Sequence, residues 1–202
     1  MDDLSRKPLE DFLDALAARS PSPGGGAVAA AVGALAAAMG RMVLAYSIRE
    51  PAVPCLVAAA DRLRHADELL RALISADAAA YDRMVSATKA AKKDPSQQGA
   101  AQQAVLAAIA IPLQMAALAA DALHTLDEVK SDTNRYLVSD LGVAAVTAFA
   151  AADAAAYNVR INAPQLQDAA ARTRALHDVA ETCRHAKISC ESIRHYVDEK
   201  MA

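Results

Sequence analysis

Aromatic residues are nearly missing from this chain: it has no tryptophan, and phenylalanine and tyrosine together make up 3% of it. A platform for stacking bases needs exposed aromatics among basic side chains, so a nucleic-acid partner is not expected, the less so at a net charge of −3. The densest basic cluster, Lys89, Lys92 and Lys93, reads as the solvated end of a helix. Three cysteines, Cys55, Cys183 and Cys190, are an odd number without CxxC spacing, which excludes a disulfide framework and suits a reducing compartment. His65, His124, His177, His185 and His195 lack ligand spacing with carboxylates, so neither a metal nor another cofactor is expected. The N-terminus, Met1-Asp-Asp-Leu-Ser-Arg-Lys7, has no apolar core of signal-peptide length. Arg41 interrupts the apolar stretch from Ala27 to Tyr46, whose alanines contribute little transfer energy, so burial against other helices is expected rather than a membrane span. The expectation is a cytoplasmic protein.

Strand-like alternation is absent over any useful length, whereas helical spacing recurs throughout. Leu9, Phe12, Leu13 and Leu16 mark a first helix, with Ser5 a cap and Pro8 in its first turn. A second runs from about Gly26 to Ser47 and carries a smooth face of Ala30, Gly33, Ala34, Ala37 and Ala38. A third, from Leu56 to about Ala91, is long enough to be a hairpin arm or a dimer element, and its seam repeats at sevens: Leu56, Leu63, Leu70, Asp77, Met84. After the break at Asp94 to Gly99 a fourth helix follows, with a kink or restart expected at Pro112. Ser139-Asp140 reads as the cap and first-turn acid of a fifth, and Pro164 as the restart of a last one with the seam Leu176, Cys183, Cys190, Val197. The expected fold is all-α: one domain over 1–202, a multihelical up-and-down bundle with long antiparallel helices and 54% hydrophobic residues to fill its core.

Two features point to chemistry. Ser20-Pro-Ser-Pro-Gly-Gly-Gly26 delivers a loop to a helix N-terminus, where free amides and the macrodipole attract an anion or a developing oxyanion. The plainer reading is that the glycines let the helix start pack tightly. Asp77 is the second feature, because a carboxylate on an apolar seam must be desolvated, paired or used. On the fifth helix Asp140, Thr147 and Asn158 share one face with Asn162 a turn beyond, but at 1.5 Å per residue Asp140 and Asn158 stand about 27 Å apart. They can line a groove for an extended ligand, or Asn158 can serve a neighbouring subunit's site. Structural roles as a helix-start acid and a buried hydrogen-bond donor account for them equally well.

The glycine loop with Ala27-Val-Ala-Ala30 and Val32-Gly-Ala-Leu35, then Asp77 with Ala80-Tyr81, then Ser139-Asp140 with Gly142-Val-Ala-Ala145, then Ala154-Ala-Ala-Tyr-Asn-Val-Arg-Ile-Asn162, together resemble the formiminotransferase-cyclodeaminase C-terminal domain family. The resemblance spans nearly the whole chain and includes bacterial methenyltetrahydrofolate cyclohydrolases of this size. It implies an all-helical homodimer acting on a one-carbon-substituted tetrahydrofolate, with Asp77 and Asp140 catalytic. It further implies that Pro23, Gly24, Gly25, Gly26, Tyr81, Ser139, Asn158 and Asn162 bind the substrate. The chain departs from the family in Ser47-Ile-Arg-Glu-Pro51, where lysines are usual and Arg49 is the one cation, and in Tyr81, where phenylalanine is usual. A cyclohydrolase is the leading expectation, a cyclodeaminase the alternative; a pterin-binding relative without turnover and a purely structural helical dimer are the readings from other classes.

Overall fold

The computed structural model describes residues 3–202 and contains six α-helices: α1 (Leu9–Ala17), α2 (Gly25–Ser47), α3 (Pro54–Lys93), α4 (Gln98–Val129), α5 (Val138–Asn162) and α6 (Ala169–Met201). Short 3-10 turns fill several of the connections. From α2 onward the chain runs up and down. Helices α2, α3, α4 and α5 pack side by side in a closed ring, and α6 lies in the groove between α4 and α5. Two runs of core side chains fill the bundle, one around Leu44, Leu63, Leu126 and Leu141 and one around Leu70, Ile109, Met115 and Val159.

Helix ends differ in detail from the sequence reading. Pro8 is the N-cap of α1, and Asp3, not Ser5, caps the preceding turn by accepting from the Ser5 amide. Helix α5 starts at Val138, so Ser139 lies within its first turn and caps nothing, while Asp140 is indeed a first-turn acid. Asp168, rather than Pro164, opens α6, by accepting from the Ala170 and Ala171 amides. Leu176 is turned to the surface of α6 while Val179, Ala186 and Ile193 are buried, because the stripe of this helix passes through those positions as well as Cys190 and Val197.

Helix α4 runs through Pro112 without a break. A proline leaves the carbonyl four residues earlier without its donor, and here Asn162 Nδ2 of α5 donates to that Ala108 oxygen at 3.2 Å. The third helix is the hairpin arm that its length indicated, paired with α4. Ion pairs such as Arg62 with Asp121 and Glu128 cross the outside of that hairpin. Three segments, Gly25–Ser47, Pro95–Asp132 and Arg135–Gln165, are long and apolar enough to cross a membrane by length and composition.

The small-residue face of α2 is used within the chain. Gly26, Gly33 and Gly40 recur at sevens and face Asp77, Leu70 and Leu63 of α3, which recur at sevens in the opposite direction. No described glycine has a positive φ, so their value here is the missing side chain and not unusual backbone angles. A Cβ on Gly40 would stand 2.9 Å from Leu63 Cδ1 and 3.2 Å from Leu126 Cδ2, both on fully buried leucines. Gly40→Ala is therefore expected to destabilise the protein by about 1–3 kcal/mol through overpacking, less up to about 1 kcal/mol of helix propensity. Gly99→Ala, where nothing stands near the new methyl, is the control. Denaturant unfolding of the two variants checks this, with Gly99→Ala expected at or above the parent.

A candidate active site at the start of helix α2

Helix α2 begins with Gly24 as its N-cap, and no side chain caps it from its own loop. The first amides of a helix lack intrahelical partners and carry the positive end of the macrodipole. Asp77, halfway along α3, arrives opposite this helix start because α2 and α3 are in antiparallel heptad register. Its carboxylate lies so close to Gly26 that a Cβ there would overlap it. Asp77 is half-buried, and burial pushes its pKa up, while the Ala27 N–H pulls it partly back down. Among the described residues no cation shares the site with it.

A second inward aspartate on the same helix shows what a structural carboxylate looks like. Asp67 is 2% exposed and receives Arg41 from α2 together with Arg71, whose Nε donates at 2.6 Å. Ion pairing and hydrogen bonds on both oxygens offset the cost of burying that charge. Asp77 has no such clamp. Of two inward aspartates, one is neutralised by the fold and the other is left available for proton exchange.

The cavity in front of Asp77 has a volume of about 160 Å³ and is bounded by Pro21, Gly24 to Gly26, Tyr81, Asn158 and Asn162. Asn158 Nδ2 donates to Ala154 on its own helix at 3.1 Å. Its Oδ1 lies 3.5 Å from where a Gly25 Cβ would be, so the amide closes one side of the mouth against bare backbone. An adjoining hollow of about 540 Å³ shares Tyr81, Ile161 and Asn162 with this cavity and continues along the arm past Thr88 to Lys89 and Lys92. Those lysines are the solvated end of α3 that the sequence indicated, and Lys89 and Lys92 also stand at the far end of a groove that starts at Asp77. No sequence signal tied them to Asp77, because only the fold brings Ile161 and Asn162 at the end of α5 up to Tyr81 of α3, where the two hollows meet.

Most of the expected site residues come together here: Gly24, Gly25, Gly26, Asp77, Tyr81, Asn158 and Asn162 all line the cavity. Pro23 is buried behind the loop and does not line it. Ser139, exposed, and Asp140, half-buried, lie at the other end of α5, beside the α2 C-terminus. That end is fixed by Ser47, whose Oγ accepts from the Asn134 amide at 2.8 Å. A recess there is lined by Arg49, Asn134, Arg135 and Tyr136. The expected residues thus form two groups at opposite ends of the α2–α5 pair. All five histidines are on the surface.

The fold is a helical bundle, and its site sets one carboxylate without an ion-pair partner opposite helix-start amides at a small cavity, an arrangement able to hold and move a proton. The formiminotransferase-cyclodeaminase family model matches residues 8–181, and the chain belongs to that family. It is 30% identical to methenyltetrahydrofolate cyclohydrolase of Methylorubrum extorquens over 96% of this chain and 97% of that one. Rat formimidoyltransferase-cyclodeaminase is 32% identical over 89% of this chain, which spans 35% of the rat protein's length. The crystal structure of formiminotetrahydrofolate cyclodeaminase from Thermotoga maritima superposes with a TM-score of 0.89 at 26% identity, covering 98% of this chain and 100% of that one.

Proposed function

We propose that this protein hydrolyses methenyltetrahydrofolate to formyltetrahydrofolate, with Asp77 as the proton-transfer group. The observation that carries the reading is the unclamped Asp77 carboxylate, its pKa raised by burial, at the mouth of a cavity walled by bare glycine backbone. Water adds to the amidinium carbon that bridges two folate nitrogens, and the carboxylate takes one proton from it. One carbon–nitrogen bond of the tetrahedral intermediate then breaks, the leaving nitrogen receives a proton, and the formyl group stays on the other nitrogen. The second proton of the water is released. A pKa above the ordinary carboxylate range brings Asp77 closer to neutrality, where it can both accept and return a proton. Free Gly25 and Gly26 amides suit the developing oxygen charge or a polar edge of the pterin. Lys89 and Lys92, at the far end of the groove, suit the carboxylates at the other end of a folate. No step in this scheme calls for a metal or a redox cofactor.

Cyclodeamination is the second reading, favoured by the close fit to the Thermotoga structure. Its ring closure also passes through a tetrahedral carbon and expels ammonia, so the same carboxylate serves. Incubation with methenyltetrahydrofolate while following its ultraviolet absorbance, and with formiminotetrahydrofolate while measuring ammonia, separates the two. Rapid loss of the first absorbance without ammonia from the second is the expected result. Ammonia release alone supports the second reading, and neither signal leaves only a binding or structural role.

The working form in this proposal is a cytoplasmic homodimer. Its support is an exposed apolar face on α2 and α5, with Leu35, Tyr46, Val143, Val146, Tyr157 and Ile161 all about half or more exposed. A row of this kind on two adjacent helices is covered by association more often than left in water. Helices α3 and α6, charged along their outer faces, belong in water rather than in lipid.

A further inference from the structure

Proline is the least favourable residue inside a helix, and α4 carries Pro112, buried, in the middle of its run. The ring crowds the carbonyl four residues earlier and offers it no N–H, so the Ala108 oxygen needs a donor from outside the α4 ladder. That donor is the side chain of Asn162, 54 residues further on, with Nδ2 at 3.2 Å. A backbone carbonyl can only accept. The Ala108 oxygen therefore settles which way round the Asn162 amide sits, with Nδ2 toward α4 and Oδ1 away from it.

Asn158, one turn earlier on α5, is set in the same manner by its own helix, because its Nδ2 donates to the Ala154 oxygen at 3.1 Å. Each asparagine thus holds its nitrogen against backbone and leaves its oxygen to meet a ligand. Asn158 Oδ1 accepts no hydrogen bond among the described residues, and Asn162 Oδ1 has only a contact of 3.5 Å from Gln165 Nε2. Neither oxygen is buried without a partner. Asn158, Asn162 and Ala108 all line the cavity in front of Asp77.

The polar groups around that cavity fall into two sets. On the α2 side stand the Gly25 and Gly26 amides, which donate; on the α3 and α5 sides stand the Asp77 carboxylate and the two asparagine oxygens, which accept. An aminopyrimidinone matches this division, since one edge of the ring carries a carbonyl oxygen beside a ring N–H and an exocyclic amino group. We propose that Asn158 and Asn162 read the ring N–H and amino group of the pterin, and that Pro112 is a positioning residue which aims the Asn162 oxygen at the ligand by leaving the Ala108 carbonyl to its amide. Pro112 itself does not line the cavity and acts through Asn162. The identity of the ligand rests on the folate reading; the setting of the Asn162 amide by Pro112 does not.

Wild type, Pro112→Ala, Asn162→Ala and the double variant are compared by thermal melting, by turnover of methenyltetrahydrofolate, and by calorimetric binding of tetrahydrofolate and its 2-desamino-2-methyl analogue. Pro112→Ala is expected to melt higher, because alanine restores the ladder bond and favours the helix. It is nevertheless expected to bind tetrahydrofolate about tenfold more weakly, the scale of one neutral hydrogen bond, with kcat at saturation within about twofold of wild type. Asn162→Ala is expected to melt lower, because the Ala108 oxygen loses its donor, and to bind about tenfold more weakly. The double variant separates the two roles of Asn162. Its stability loss is expected to vanish, since the ladder now supplies the donor, while its binding loss remains. Wild type should prefer tetrahydrofolate to the analogue by about tenfold or more, and Asn162→Ala should lose most of that preference.

If Asn162 only repairs α4, the double variant binds tetrahydrofolate as wild type does and Pro112→Ala leaves binding unchanged. Either result overturns the inference with the folate reading intact, as does an Asn162→Ala protein that keeps the full preference for tetrahydrofolate over the analogue. A wild type that binds neither ligand overturns the folate reading and the ligand edge assigned here. The positioning role is then decided by a crystal structure of Pro112→Ala, in which an Asn162 amide moved off the Ala108 oxygen supports it and an unmoved one overturns it.

Discussion

Asp77→Asn is expected to lower turnover by about a hundredfold to ten-thousandfold, the span usual for loss of a general acid or base, while the melting temperature holds or rises. Asparagine keeps the shape and can still accept from the Ala27 amide, but it cannot exchange a proton. Two terms set the stability. The amide and the helix start favour the ionised form, by about 0.3–1 kcal/mol for a charge near a helix end; burial disfavours it and is the larger cause of the raised pKa. Because the folded-state pKa lies above the unfolded one, the folded chain holds the proton longer. Stability from this group is lost as pH rises from the unfolded to the folded pKa and stays lost at neutral pH. Asparagine removes that loss. The wild-type pH–rate profile should therefore have an acid limb above the ordinary carboxylate range, and the residual activity of the variant should lack it. If Asp77 served only to cap α2, the substitution would move stability and leave turnover near normal.

Gly26→Ala should lower kcat/KM by about a hundredfold, the scale of loss when a reacting group is displaced by roughly an ångström. The added methyl cannot coexist with the Asp77 carboxylate where it now stands. Since that carboxylate borders a cavity, it can swing into open space, so the protein is expected to fold. The neighbouring positions behave differently. A Cβ on Gly25 meets Asn158 at ordinary contact distance, and Gly25→Val should raise KM by narrowing the cavity mouth while leaving the melting temperature nearly unchanged. A double variant, Gly26→Ala with Asp77→Asn, is the internal check. If the methyl acts by displacing Asp77, the pair should be no slower than Asp77→Asn alone. Additive losses would mean that Gly26 contributes by backbone approach to the substrate instead.

Much of this was readable in the sequence because it follows from helical periodicity. Leu56, Leu63, Leu70 and Met84 fix a seam, and any residue at the seventh positions between them faces inward, so Asp77 was legible as an inward carboxylate. The same arithmetic gives Gly26, Gly33 and Gly40, but it does not say which helix they face; in the fold they receive α3. Asp67 was missed, since it lies off the strict sevens and its partners Arg41 and Arg71 come from two helices. Asn162 carried two meanings: it lines the cavity, and it also repairs the hydrogen bond that Pro112 removes from α4. Helix-pattern reasoning placed Asn158 and Asp140 on one face correctly and could not bring them together, because the distance along a helix is fixed within one chain.

The account stands on the glycine-loop cavity as the place where the folate binds, and a crystal structure with a stable tetrahydrofolate analogue tests that directly. The account predicts the pterin between Tyr81 and the Gly25–Gly26 backbone, its one-carbon position within one water of the Asp77 carboxylate, and the glutamyl carboxylates toward Lys89 and Lys92. An analogue seated elsewhere, such as the apolar groove between α1 and α2 that Phe12, Leu16 and Val32 line, with Asp77 left untouched, would contradict it.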